Sequence, residues 1–186
     1  GKEQETVIRL LRPDLEAAVK EDSRILREVA PLIENHPDMK GTGLERFGKF
    51  IEPLEKAVQE ELDVTKTALN QAEGARHYTK TLETLDRAKK IYIKSAVPKI
   101  YYEKESGKTV FIQELAPGTS MDRFFEHDPM LRRLVSESVA EMWLREALFG
   151  TGSFFHTDLH PGNVLAGRLA DGSVQVTILD FGMVDR

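Results

Sequence analysis

The chain contains no cysteine among its 186 residues, so disulfides, thiolate nucleophiles and Cys-based zinc or iron–sulfur sites are excluded. That absence is compatible with a reducing compartment. No apolar run approaches the ~18 residues that a membrane helix needs, and the opening Gly-Lys-Glu-Gln-Glu is too polar for a signal peptide. Charge of one sign is also scarce: 26 Lys+Arg oppose 31 Asp+Glu, a formal net charge of −5. A surface built for nucleic-acid backbone shows as a basic excess, so no nucleic-acid partner is expected. Internal repeats and low-complexity segments are lacking too. What is present, 40% hydrophobic and 31% charged residues, is the composition of a globular chain of one or two domains that can bury a core.

The β-branched run at 6–11 predicts a strand ended by Arg12-Pro13. Pro13 and Asp14 suit a helix start, and Leu15, Val19, Leu26, Val29 and Ile33 recur at helical spacing, predicting a helix over 14–34. A second, longer helix is predicted over 44–77, with Phe47, Ile51, Leu54, Val58, Leu62, Thr65, Leu69 and Ala72 on one stripe and Pro53 as a kink. On a wheel of about 100° per residue, Glu61 falls at the edge of this stripe and Asp63 on roughly the opposite side. Strands follow at 91–93, 99–102 and 109–112, the last two joined as a hairpin through Glu105-Ser-Gly-Lys108. Short and long helices are expected at 121–125 and 130–149, the latter facing inward through Leu131, Leu134, Val135, Ser138, Val139 and Met142. Two final strands, 163–165 and 174–179, flank an Asp171-Gly172 turn.

Chemistry concentrates in His156-Thr-Asp-Leu-His-Pro-Gly-Asn163, followed seventeen residues later by Asp180-Phe-Gly182 at the end of an apolar strand. Two acids and an amide brought together by a loop and a hairpin supply hard oxygen ligands, which suit Mg²⁺, plus one carboxylate free to accept a proton. The spacing H-x-D-x-x-x-x-N, hairpin, D-F-G reproduces the catalytic and metal-binding segments of the protein-kinase-like fold. In that pattern Asp158 is the catalytic-loop carboxylate, while Asn163 and Asp180 hold Mg²⁺ against nucleotide phosphates. His156 and His160 lie four apart, but the Pro-Gly that follows places them in a loop rather than on a helix face. A zinc site is therefore rejected, and His156 is expected to be a hydrogen-bonded core histidine that fixes the loop.

The sequence resembles the UbiB-type, or AarF-domain, atypical kinases related to the coenzyme Q accessory proteins. The resemblance rests on Phe154-Phe-His-Thr-Asp-Leu-His-Pro-Gly-Asn-Val-Leu165, Asp180-Phe-Gly-Met-Val184, Val7-Ile-Arg-Leu-Leu-Arg-Pro13 and Glu60-Glu-Leu-Asp63. It implies an α+β, protein-kinase-like two-lobed fold with helical insertions: a partial small lobe over 1–113, a hinge over 114–118 and a partial large lobe over 119–186. A complete kinase-like domain takes about 250 residues, so an N-terminal extension, a nucleotide-covering loop and the rest of the large lobe are expected outside this chain.

The same resemblance implies ATP and Mg²⁺ as cofactors, with adenine held by backbone groups of Glu114 and Ala116 at the hinge. Glu61 would pair with a cation on the third strand of the small lobe, and Asp63 belongs to the family's E-x-D signature. Kinase or ATPase activity in isoprenoid-quinone metabolism is implied, with an isoprenoid lipid or quinone precursor as partner and a cytoplasmic or membrane-peripheral location. One residue departs from the pattern. Arg9 stands where the family has lysine, and its planar fork meets phosphate differently from an ammonium. An aminoglycoside-phosphotransferase-like small-molecule kinase shares the His-x-Asp loop, and a nucleotide-binding pseudokinase scaffold is the reading that Arg9 motivates.

Overall fold

The computed structural model describes residues 5–83, 92–101, 109–124, 129–150 and 154–186, without the side chains of residues 61, 82, 83 and 124. Strand β1 (Thr6–Leu10) leads through the Arg12-Pro13 turn into helix α1 (Leu15–Glu34). The predicted bounds of α1 hold because apolar spacing and a proline-led start agree. The helix ends where Asn35 bonds back to the Pro31 carbonyl with both its backbone and side-chain amides. Only Ala30 of α1 is buried, where Gly48 passes close by and donates its N–H to Glu34 at 2.8 Å.

The long helix expected over 44–77 is three pieces. A 3-10 segment, Leu44–Phe50, precedes α2 (Ile51–Leu62) and α3 (Val64–Tyr78). Pro53 lies in the first turn of α2, where its missing N–H has no intrahelical acceptor to lose. The break falls instead at Asp63, whose backbone (φ −82°, ψ 88°) is not helical and whose carboxylate accepts the Lys66 N–H at 3.1 Å. An acid offered as a cap competes with helix continuation, and here it restarts the helix in a new phase. The expected stripe is therefore corrected within α3. Leu69 is exposed, and the buried face is Val64, Thr67, Ala68, Asn70, Gln71, Gly74 and Tyr78.

Beyond α3, β2 (Lys80–Glu83) and β3 (Tyr92–Ala96) pair antiparallel. Next come β4 (Ile100–Tyr101), β5 (Val110–Glu114), β6 (Thr119–Ser120), α4 (Met121–Phe124) and α5 (Pro129–Phe149). The chain continues through β7 (Phe155–His156), a 3-10 turn at Pro161–Asn163, β8 (Val164–Arg168), β9 (Val174–Ile178) and β10 (Val184–Asp185). The expected pairing of β4 with β5 is present, Ile100 opposite Gln113 and Tyr101 opposite Ile112. Its turn at 105–108 lies outside the described residues, as do Ile91, Tyr102 and Phe125 from the other expected elements.

Among the described residues three sheets result, ordered β1-β5-β4, β2-β3-β9-β8-β6 and β10-β7. The second is mixed: β3 runs parallel to β9, with Ile93 opposite Val174 and Ser95 opposite Val176. Helix α5 covers it, packing Leu131, Val135 and Val139 against Ile93, Val164, Val174 and Val176. A second cluster joins Tyr78, Val97, Met142, Phe154, Ile178 and Phe181, and a third sets Val64 and Ala68 of α3 against Ile100 and Phe111. Helix α3 thus reaches both the small sheet and the segment around Phe181. Among the described residues, no helix is long and apolar enough to cross a membrane.

Candidate functional site

His156 ends β7 with no solvent exposure. Its Nε2 meets the Leu179 carbonyl at 3.0 Å and its Nδ1 accepts the Asp158 N–H at 3.2 Å. These two bonds fit one tautomer, neutral with the proton on Nε2. Burial, the largest influence, holds the ring below its ordinary pKa of 6.5 and outweighs the opposing Leu179 carbonyl and the Asp158 and Asp180 charges. The histidine's own peptide is fixed as well: its N–H donates to the Tyr78 hydroxyl at 3.1 Å, and its carbonyl accepts from Trp143 Nε1 at 2.6 Å. His156 is the loop-fixing core histidine expected from sequence.

The loop after it is tied to the strand that carries Asp180. Asn163 donates Nδ2 to the Asp158 carbonyl at 3.1 Å, and its own carbonyl accepts the Leu179 N–H at 2.8 Å. His160 turns inward on its own loop, its Nδ1 accepting the Gly162 N–H at 3.1 Å, while its Nε2 stands 3.8 Å from Asp158 Oδ2. Asp158 itself is exposed.

Asp180 follows β9 in the left-handed region at φ 58°, where non-glycine residues are uncommon. The neighbouring residue holds it there. Phe181 is fully buried, 5.0 Å from the His156 ring and 5.9 Å from that of Tyr78, and its carbonyl accepts from Asn70 Nδ2 at 3.0 Å. Gly74 lies so close that a Cβ there would stand 2.3 Å from the Phe181 ring. Asn70, Gly74 and Tyr78 are spaced by four, so α3 offers an amide, a gap and a ring to the Asp-Phe-Gly turn in register. Sequence reasoning missed all three. The i, i+4, i+8 spacing was the available signal, but a stripe phased on Leu69 put them on the wrong face.

Arg9 comes from the opposite side. Antiparallel pairing sets it across from Phe111, and its guanidinium lies over that ring, 5.3 Å from the centroid. Its two terminal nitrogens donate to the two Asp180 oxygens at 3.2 and 3.0 Å. The Glu61 backbone belongs to α2, but its side chain, and so its expected pairing with a cation, lies outside the described residues. Asp63 is exposed and caps α3 rather than projecting from a helical face.

In the segment expected as a hinge, the Glu114 N–H donates to the Lys99 carbonyl at 2.8 Å, so Glu114 would offer an adenine edge only its carbonyl. Ala116 lies between Leu115, whose N–H goes to the Glu5 carbonyl at 3.3 Å, and Pro117, which has no N–H. The segment turns at Gly118 (φ 107°), where a Cβ would stand 2.5 Å from the Ala166 carbonyl oxygen. Gln71 Nε2 donates to Gln113 Oε1 at 3.0 Å, linking α3 to β5 just before that segment.

The donor set fits Mg²⁺. Asp180 and Asn163 supply hard oxygens, and Mg²⁺ is usually bound through one or two carboxylates together with substrate phosphates and water. Among the described residues, no three His, Asp or Glu side chains converge as a metal cage of their own. A Mg²⁺ held there would rely on phosphate or water to complete its coordination.

An α+β fold in which a His-x-Asp loop and an Asp-Phe-Gly turn share one hydrogen-bonded frame, opposite a strand-borne cation, defines a kinase-like protein. The family model of the ABC1 atypical kinase-like domain matches residues 1–186. The chain is 26% identical over 184 residues to "Probable protein kinase UbiB" of Aliivibrio fischeri, covering 97% of this chain and 31% of that protein. It is 29% identical over 186 residues to the chloroplastic "Protein ACTIVITY OF BC1 COMPLEX KINASE 8" of Arabidopsis thaliana, covering 98% of this chain and 22% of that one. A Mycobacterium tuberculosis protein solved in complex with erythromycin superposes with a TM-score of 0.59 at 25% identity, over 98% of this chain and 40% of its own. The chain belongs to the ABC1 atypical kinase-like family and spans less than a third of the length of these two named kinases.

Proposed function

We propose that this chain carries the Mg-ATP site of a UbiB-type atypical kinase or ATPase. One observation supports the reading most. His156 and Asn163 bind the Asp158 loop to the Leu179 backbone that leads into Asp180, so the acceptor-side carboxylate and the metal-side carboxylate share one rigid frame. Phosphoryl transfer asks mainly for such positioning. In this reading Mg²⁺ supplies charge neutralisation at the phosphates, held by Asp180 and the Asn163 amide oxygen. Asp158 accepts the proton of an attacking hydroxyl or water. Backbone groups of Glu114 and Ala116 bind the adenine edge, and Arg9 meets the phosphates. The proposed acceptor is an isoprenoid lipid or quinone precursor, reached at a membrane surface, and family likeness alone supports that part.

The test is nucleotide binding by the full-length protein. Mg-ATP should bind the wild type, and Asp180→Asn should weaken Mg-dependent binding by roughly 10- to 100-fold, the equivalent of one lost charge-assisted interaction. Binding that is absent from the wild type, or indifferent to Asp180→Asn, sinks the reading. Arg9 favours a second reading, a nucleotide-binding scaffold with little turnover. Wild-type ATP hydrolysis that equals or exceeds that of Arg9→Lys would count against that scaffold.

A further inference from the structure

Both oxygens of the Asp180 carboxylate are occupied by one side chain of this same protein. Arg9 reaches across from β1, bonds Oδ1 at 3.2 Å and Oδ2 at 3.0 Å, and is steadied from beneath by the Phe111 ring. The carboxylate cannot swing away easily, because Phe181 is locked in the core beside it and Asn70 holds the Phe181 carbonyl. A divalent cation approaching Asp180 therefore meets a carboxylate whose charge is already neutralised and whose inner lone pairs point at N–H groups. A lysine at the same position would offer a single point charge rather than a fork spanning both oxygens.

The pair is not sealed in. The two side chains are 38% and 36% exposed, so solutes can compete for either partner. Phosphate is the natural competitor for Arg9, since guanidinium binds phosphate oxygens in the same two-pronged way as it binds carboxylate. We infer that Arg9 is an internal counter-ion standing in for the metal at Asp180, and that nucleotide phosphates must draw Arg9 off before Asp180 can ligate a divalent cation. The inference rests on the Mg-ATP reading above and adds an order to it. Metal alone binds poorly, nucleotide raises metal affinity, and by thermodynamic reciprocity metal raises nucleotide affinity by the same factor.

Mn²⁺, followed by electron paramagnetic resonance as a stand-in for Mg²⁺, reads this without turnover. The full-length wild type, Arg9→Gln, Arg9→Lys and Arg9→Gln combined with Asp180→Asn are titrated with Mn²⁺, with and without a non-hydrolysable ATP analogue. Without nucleotide, Arg9→Gln should bind Mn²⁺ roughly five- to tenfold more tightly than wild type, the ordinary scale of coupling between two sites. Arg9→Lys should fall between them, and adding Asp180→Asn to Arg9→Gln should abolish the gain. With the analogue, wild-type affinity for Mn²⁺ should rise. If the wild type binds Mn²⁺ and analogue together but Arg9→Gln and Arg9→Lys leave Mn²⁺ affinity without nucleotide unchanged, the counter-ion role is overturned while the Mg-ATP reading stands. If neither Mn²⁺ nor analogue binds the wild type, both fall.

Discussion

His156 illustrates how far single residues determine this site. Its Nδ1 serves as an acceptor for the Asp158 N–H and its Nε2–H as a donor to Leu179, so protonation would set an N–H against an N–H. The unfolded chain takes up that proton near the ordinary value of 6.5, whereas burial holds the folded imidazole below it. The contribution of His156 is therefore complete above 6.5 and is lost as pH falls from there through the folded value. Urea midpoints of the wild type should drop between about pH 7.5 and about pH 5.5, a window above most carboxylate titrations. His156→Gln, which keeps an amide but cannot titrate, should show a smaller drop. An equal drop in both proteins would show that the destabilising proton binds elsewhere. The role of the His156 ring was legible in sequence because both of its hydrogen-bond partners, Asp158 and Leu179, lie on one short motif and the strand segment that follows. The Arg9–Asp180 pair, whose members are 171 residues apart, was not, since nothing local to either residue names the other.

Among the elements, α5 and the β8–β9 hairpin follow their sequence pattern closely, because in each the apolar period, the breaker residues and the tertiary burial agree, whereas α1 keeps its predicted bounds but buries only Ala30, outside the predicted stripe. The 44–77 segment failed for a local reason. Its apolar spacing runs on across Asp63, but a side chain that bonds the Lys66 N–H more readily caps a new helix than continues an old one. Asp63→Ala should cost about 0.5–2 kcal/mol by loss of the cap, measured by chemical denaturation, and a change near zero would mean that tertiary packing alone sets the break. The rephased α3 matters for the site. Gly74→Ala would push a methyl into the Phe181 ring at 2.3 Å, and because that ring is fully buried, the helix or the Asp-Phe-Gly turn must shift. Overpacking of this kind costs about 1–3 kcal/mol. Nucleotide affinity should fall with it, through displacement of Asp180. A Gly74→Ala protein of wild-type stability and affinity would contradict the close packing of α3 on the turn.

At the scale of the whole molecule, strands distant in sequence share a sheet, β3 with β9 in parallel, a pairing that sequence patterns alone do not specify because either strand could as well have met another. One carboxylate reinforces the join. Glu146, near the end of α5, is 7% exposed and receives Lys80 from β2 and, at 3.0 Å, His77 Nδ1 from α3. His77 in turn stacks on Phe154, 5.1 Å between ring centroids, and Phe154 lies against Phe181 at 6.3 Å, so the ion cluster braces the back of the Asp-Phe-Gly turn. Burial, the largest single influence, raises the Glu146 pKa, but the hydrogen bonds and charges of Lys80 and His77 together outweigh it and hold the group below its ordinary 4.5. A carboxylate so depressed stabilises the fold above 4.5, and that stability is lost as pH falls through the folded value. Glu146→Gln keeps the shape while removing the charge. It should cost about 1–3 kcal/mol near neutral pH, less than a fully buried pair would because Lys80 remains partly in water. The loss should shrink as the two proteins are compared at progressively lower pH by urea denaturation, since protonation removes the same charge from the wild type. A loss that stays constant down to about pH 3 would mean that Glu146 acts through packing alone and that the three elements are held without its charge.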